Sequence, residues 1–257
     1  MRTSKTLAKW RSGRPVRVCG LGHFIPHFIR HAAGAGYDCI WLDLEHRTMG
    51  MREVQALLAY FHLFDIDCLL RPPTLEKTGL YRYLEEGASG LMIPFVCTAD
   101  KARDVVAATK FPPLGNRGID AAGIDADYTH QGPDEYVQQA NEQTFVVAQI
   151  ETPEAVQNVD EIAAVEGVDA IFVGAADLGM RIKRSNTSFT MEEAFKRVAA
   201  AAQRHGKQWG TPSGSPQRTR ELFDMGAGLI CHGSEFLALM QMLEDSSREM
   251  DTIYGDG

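Results

Sequence analysis

No apolar run in this 257-residue chain approaches the length of a membrane span. The N-terminal stretch MRTSKTLAKWRSGRP is basic but lacks the apolar core of a signal peptide. Positive charge is in deficit, with 26 Lys and Arg against 34 Asp and Glu, so there is no basic footprint for nucleic acid. Cysteine is scarce and odd in number: five residues, none in a C-x-x-C pair. That pattern argues against a disulfide framework and a zinc site, and it predicts free core thiols in the reducing cytoplasm. A nucleophilic cysteine is the lesser alternative. The turn after the first strand-like run is GLGHFIP, without the G-x-G-x-x-G of a dinucleotide fold. Lysine is missing from the ends of strand-like runs. Lys207 touches one only at its start, which disfavours Schiff-base chemistry.

What is present is an alternation. Continuous apolar runs of buried-strand character fall at 16–20, 38–44, 66–71, 90–94, 145–150, 169–173, 207–211 and 228–232. Helical patterns lie between them, several opening on Ser or Thr as N-caps: TADKARDVVAATK, TPEAVQNVDEIAAVEG, TMEEAFKRVAAAAQRHG and SPQRTRELFDMG. Eight βα units in one domain of this length predict a closed (β/α)8 barrel spanning residues 1–257, with the N-terminal segment as a short helix over one end. An open doubly wound sheet is the alternative. Residues 109–144 and 178–190 are expected to be long loops, and the polar tail EDSSREMDTIYGDG to fray.

In such a barrel the strand C-termini converge on one mouth. His46, Arg71, Glu151 and Asp177 each close an apolar run. Glu151 and Asp177, one βα unit apart, suit a hard, oxygen-ligated divalent cation, Mg²⁺ or Mn²⁺ with Co²⁺ as a third option. Taken singly, either is an ordinary helix-start acid. Arg71 can hold a carboxylate or a developing enolate oxygen, or serve as a rim ion pair. His46 can act as a general base, with Asp43 and Glu45 beside it and Glu85 as a residue to orient its ring. The turn GTPSGSP (210–216) suits anion binding or a plain turn equally. Asp120, Asp125, Asp127 and His130 have irregular spacing that favours a solvated loop over a metal cluster.

The segments AGAGYDCIWLDLEH, RPP, EEGASGLMIPFV, FPPLGNRG, VAQIETPEAVQNVDEIAAVEGVDAIFVGAADL and GAGLICHGSE, in this order, resemble the class II metal-dependent pyruvate aldolases of the 4-hydroxy-2-oxoheptanedioate aldolase family, which includes 2-keto-3-deoxy-sugar-acid aldolases. The resemblance implies metal ligands at Glu151 and Asp177, a catalytic base at His46 and an enolate-stabilising arginine at Arg71. It implies pyruvate-binding positions at Gln149, Ala176 and Asp177. Glu85 stands where the family often has an aspartate paired with the histidine, and Ala175 where a proline is usual. The resemblance also implies a homo-oligomer, often a hexamer, with the last helix exchanged between subunits. The implied reaction is aldol cleavage of a 4-hydroxy-2-oxo acid to pyruvate and an aldehyde. Oxaloacetate decarboxylation, CoA-ester lysis and a non-catalytic metabolite-binding barrel remain as alternatives.

Overall fold

A computed structural model of the chain describes residues 1–255. Eight parallel strands close in sequence order, each paired with its neighbours and the eighth with the first. They are β1 (Val16–Leu21), β2 (Cys39–Asp43), β3 (Asp67–Arg71), β4 (Gly90–Ile93), β5 (Phe145–Ile150), β6 (Ala170–Val173), β7 (Gln208–Ser213) and β8 (Leu229–Ser234). All eight expected strands form. The helices are α1 (Lys5–Arg11), α2 (Pro26–Gly34), α3 (Met51–Leu63), α4 (Lys77–Glu85), α5 (Ala99–Thr109), α6 (Pro133–Gln143), α7 (Pro153–Gln157), α8 (Val159–Ala163), α9 (Ala175–Arg184), α10 (Met191–Arg204), α11 (Pro216–Asp224) and α12 (Glu235–Tyr254).

The caps fall where the hydroxyls of the sequence put them. Thr98, Thr152, Thr190 and Ser215 each accept a backbone N–H from the first turn of their helix. Two expectations fail. The stretch after β6 is not a long loop, because α9 begins at once and runs to Arg184. The polar tail does not fray from Glu244 onward, because α12 continues to Tyr254, where Gly255 closes it in the left-handed conformation.

Two apolar layers result from strand alternation. One face of each strand packs under the outer helices, in a cluster that includes Ile40, Leu70, Leu91, Ile150 and Val173. The other face fills the barrel with Val18, Cys39, Leu69, Met92, Val147, Phe172 and Leu229. The N-terminal segment closes the bottom, as expected. Trp10 on α1 meets Phe145 edge-on, and the fully buried Asp67 accepts from Arg2, the Ser4 hydroxyl and the Thr6 backbone N–H. The five cysteines are free, and all but Cys97 are buried. No helix among the described residues is long and apolar enough to cross a membrane.

Candidate active site

The mouth is the continuation of the inward-facing register. In β3, Asp67 and Leu69 face the interior, so Arg71 reaches the top on the same face. In β2, Cys39 and Trp41 do the same for Asp43, and in β5 Phe145 and Val147 lead to Gln149 and then Glu151. A step of two residues therefore carries each of these strands from the packed core to the rim of the mouth.

Arg71 is buried and held on three sides. Its Nε donates to Asp43 Oδ1 at 2.9 Å, its Nη2 lies 2.8 Å from Asp43 Oδ2, and its Nη1 lies 3.1 Å from Glu45 Oε2. Below, the guanidinium carbon sits 4.7 Å from the centre of the Trp41 ring. Burial opposes ionisation of Asp43, but the Arg71 hydrogen bond and charge, with backbone N–H groups of His46 and Glu45, outweigh it and hold the carboxyl below its usual range. The Nε contact is a hydrogen bond and the two Nη contacts are ion pairs, so hydrogens on both Nη atoms remain for a ligand. Asp43 and Glu45 were legible only as neighbours of His46; their role as the clamp on Arg71 needed the β2–β3 register, which places Asp43 beside Arg71.

Glu151 is buried, and both its oxygens are engaged: Oε1 accepts from the Phe95 backbone N–H at 2.7 Å and Oε2 from Gln149 Nε2 at 2.6 Å. Burial, with the nearby Glu45 and Asp177 charges, pushes its carboxyl up to about 7 against the pull of the Phe95 N–H. Gln149 Oε1 is buried with no partner. Gly174 makes this pairing possible, since a Cβ there would lie 2.7 Å from Glu151 Oε2 and 2.8 Å from Gln149 Nε2. Gly174 is also the N-cap of α9, so Ala175, Ala176 and Asp177 form its first turn with their N–H groups free of helical partners. Asp177 is half-exposed, with Arg181 one turn on at 3.6 Å.

His46 stands in the loop after β2, its ring largely exposed, with Nε2 3.7 Å from Glu45 Oε2. Glu85 is not brought to it. Glu85 ends α4, and the next element is the start of β4, so it lies at the opposite end of the barrel. Its charged neighbours there are Arg117, Asp125 and Asp120, and burial pushes its carboxyl up to about 7. A residue before a strand and one after a strand are separated by the barrel's height, which the pairing of Glu85 with His46 overlooked. Asp125 is likewise no solvated loop acid. It is buried and accepts from Arg117 Nη2 and Tyr136 Oη. Lys207 donates to Val165 and Val168 carbonyls, away from the mouth.

A family model described as HpcH/HpaI aldolase/citrate lyase matches residues 21–239. The chain belongs to the HpcH/HpaI aldolase/citrate lyase family. As a member it is an enzyme, a carbon–carbon lyase of metal-assisted aldol cleavage or condensation on a 2-oxo acid. Among HpcH/HpaI relatives, a hydroxypyruvate/pyruvate aldolase from Deinococcus radiodurans is 32% identical over 250 residues, covering 92% of this chain and 88% of that protein. A 4-hydroxy-2-oxo-heptane-1,7-dioate aldolase from Escherichia coli is 31% identical over 239 residues, covering 92% and 91%. The crystal structure of an HpcH/HpaI aldolase from Desulfitobacterium hafniense superposes with a TM-score of 0.88 at 30% identity, covering 95% of each chain.

Proposed function

We propose that the protein catalyses reversible aldol cleavage of a 4-hydroxy-2-oxo acid to pyruvate, or a related 2-oxo acid, and an aldehyde. The observation that carries this reading is the buried Arg71 guanidinium, clamped by Asp43 and Glu45 with hydrogens to spare, at a mouth that also holds Glu151 and Asp177. A preorganised cation at that point stabilises an enolate oxygen without reorganisation cost. The free N–H groups at the start of α9, at Ala176 and Asp177, suit the substrate carboxylate. His46, exposed at the rim, takes the proton of the C4 hydroxyl in this reading as the C3–C4 bond breaks.

The residues fit a divalent metal. Glu151 and Asp177 offer only oxygen, and the partnerless Gln149 Oε1 beside Glu151 supplies an acceptor for a water of its shell. Among the described residues no third acidic, His or Cys ligand joins them, so substrate and water would complete the coordination. Held there, Mg²⁺, Mn²⁺ or Co²⁺ would supply Lewis-acid polarisation of the substrate's C2 oxygen.

The assembly reading is a homo-oligomer, a hexamer, with α12 exchanged between subunits. Every residue of α12 except Glu235 lies outside the core, and Leu237, Leu239, Met242 and Leu243 are at least half exposed. On the barrel wall at β8 and β1, a groove of about 600 Å³ lined by Pro15, Ala35, Tyr37, Phe223 and Ile230 lacks a covering helix. The groove carries Arg17, Arg220 and His232, whereas α12 is acidic with Glu244, Asp245, Glu249 and Asp251. The free thiols favour a cytoplasmic location.

The deciding experiment is pyruvate release from a panel of 4-hydroxy-2-oxo acids, measured after exhaustive chelation and after adding back Mg²⁺, Mn²⁺ or Co²⁺. Activity should vanish and return. Full activity without metal, or an imine trapped by borohydride, would overturn the reading.

A further inference from the structure

The mouth is electrically lopsided. Glu151 and Asp177 follow β5 and β6. Directly across the closed barrel, beyond β1 and β2, stand His23, His46 and Arg47. The acids beside these bases are engaged elsewhere: Glu235 Oε1 accepts from the Gly22 N–H at 2.7 Å and lies 2.8 Å from His23 Nδ1. Glu45 faces Arg71.

Arg47 is the unengaged cation of this group. Its stem lies flat on Gly22: a Cβ at Gly22 would be 2.8 Å from Arg47 Cγ, 3.1 Å from Cδ and 3.0 Å from Nε. One Nη1 hydrogen goes to the carbonyl of His46 at 2.9 Å, and among the described residues it makes no ion pair. The missing side chain at Gly22 thus lets an arginine settle against the end of β1, with its guanidinium fixed to the backbone of the proposed base. A cation held by its stem and one hydrogen bond, with its other donors open to solvent, is prepared for an anion.

We propose that Arg47 is a specificity-determining residue that selects an aldehyde ending in an anionic group, a carboxylate or a phosphate. This rests on the aldolase reading. With the 2-oxo acid end at Glu151 and Asp177 and the C4 hydroxyl at His46, the remainder of the substrate extends past His46 toward Gly22. Arg47, its stem on Gly22 at the end of β1 and its guanidinium on the His46 carbonyl, stands on that side of the mouth. The anionic end meets the guanidinium there, while a neutral end leaves its charge to water and gains nothing.

The test is condensation of pyruvate with matched aldehydes in the metal-loaded enzyme: 4-oxobutanoate against pentanal, and glyceraldehyde 3-phosphate against glyceraldehyde. The readout is the ratio of kcat/KM within each pair. The ratio should favour the anion by roughly tenfold in at least one pair, the scale of one charge-assisted hydrogen bond, and the favoured pair says which anion the site takes. Arg47→Met should bring that ratio close to unity. Gly22→Ala, which pushes the arginine stem off its seat without removing its charge, should lower it as well. A wild-type ratio near unity in both pairs, or a ratio that survives Arg47→Met, overturns the assignment. Hydrogen exchange at pyruvate C3 in the wild type separates the two levels. If exchange is absent, the aldolase reading has failed; if it proceeds with no anion preference, only the role of Arg47 has.

Discussion

Arg71 has little freedom to be anything but a fixed guanidinium: Asp43 takes its Nε and Nη2 edge, and Trp41 supports its face. Arg71→Lys keeps a charge but loses the planar fork that both the clamp and the ligand need. It should lower kcat by at least ~10²-fold, the scale for removing one oxyanion-stabilising donor. Exchange at pyruvate C3 should fall with it, because the enolate is common to both; normal exchange would remove Arg71 from the chemistry. His46 is expected to behave differently. His46→Ala should lose aldol cleavage by ~10²–10⁴-fold, the usual worth of a positioned base, yet retain decarboxylation of oxaloacetate, which has no C4 hydroxyl to deprotonate. Loss of both activities with metal affinity intact would place His46 in the enolate step instead. Glu85, far from either, gives a stability prediction. Burial raises its carboxyl to about 7 in the folded protein, against about 4.3 in an unfolded chain. Between those values the folded state keeps a proton that the unfolded state has lost, so its contribution to stability declines as pH rises through that window. Glu85→Gln removes the penalty. The variant should melt higher than wild type at pH 8, and the difference should close by pH 4. A wild type that is equally stable or more stable at pH 8 would show the carboxylate to be well accommodated.

At the scale of elements, the strands were legible and the helices only in part, for a physical reason. A strand buried on both faces shows as an apolar run, as in β4, β5 and β6, and even β1, with its exposed Arg17, and β7, QWGTPS, keep enough apolar residues between turn signals to be found. The helix after β6 gives no such signal. In α9 the N-cap is Gly174, Gly179 interrupts the middle, and only Leu178 is buried, so AADLGMRIKR reads as loop. Its first turn nonetheless carries Asp177. Helix α12 is legible only in its first half, where SEFLALMQMLE (234–244) sets Phe236, Leu237, Leu239, Met240 and Leu243 on one broad apolar face; its continuation through the polar tail to Tyr254 carries no such signal. The strand ends exposed Arg71, Glu151 and Asp177 to a reader of the sequence, whereas the Gly174 contact that seats Glu151 lies in three dimensions only. Gly174→Ala tests that contact. The backbone there has φ −76°, which alanine adopts freely, but its Cβ would fall 2.7 Å from Glu151 Oε2. Affinity for Mn²⁺, read by electron paramagnetic resonance, should drop at least several-fold while the melting temperature changes little. Unchanged affinity would mean that Glu151 has another acceptable position.

For the whole molecule, packing is left incomplete at the barrel wall between β8 and β1. A parallel barrel needs a helix over every strand pair, and here the last helix leaves its own wall open. Burying leucines of α12 in a second copy repairs both surfaces at once. The full chain should therefore be an oligomer at micromolar concentration by light scattering, and Leu239→Asp with Leu243→Asp should dissociate it. A wild-type monomer would mean that α12 folds back in solution. The bottom of the barrel needs no such help, being sealed by Arg2, Ser4 and Thr6 on Asp67.

The stacking of Arg71 on Trp41 gives the protein an optical property. Of its three tryptophans, Trp10 lies at the closed bottom against Phe145, and Trp209 packs behind the wall against Phe195. Trp41 alone sits beneath the Arg71 guanidinium, 4.7 Å away, with Phe172 edge-on at 5.5 Å. An anion landing on Arg71 changes the field across that indole. With Trp10 and Trp209 replaced by phenylalanine, the emission of the remaining ring becomes an indicator of what occupies the mouth, and ligand binding can be followed in a cuvette before any bond is broken.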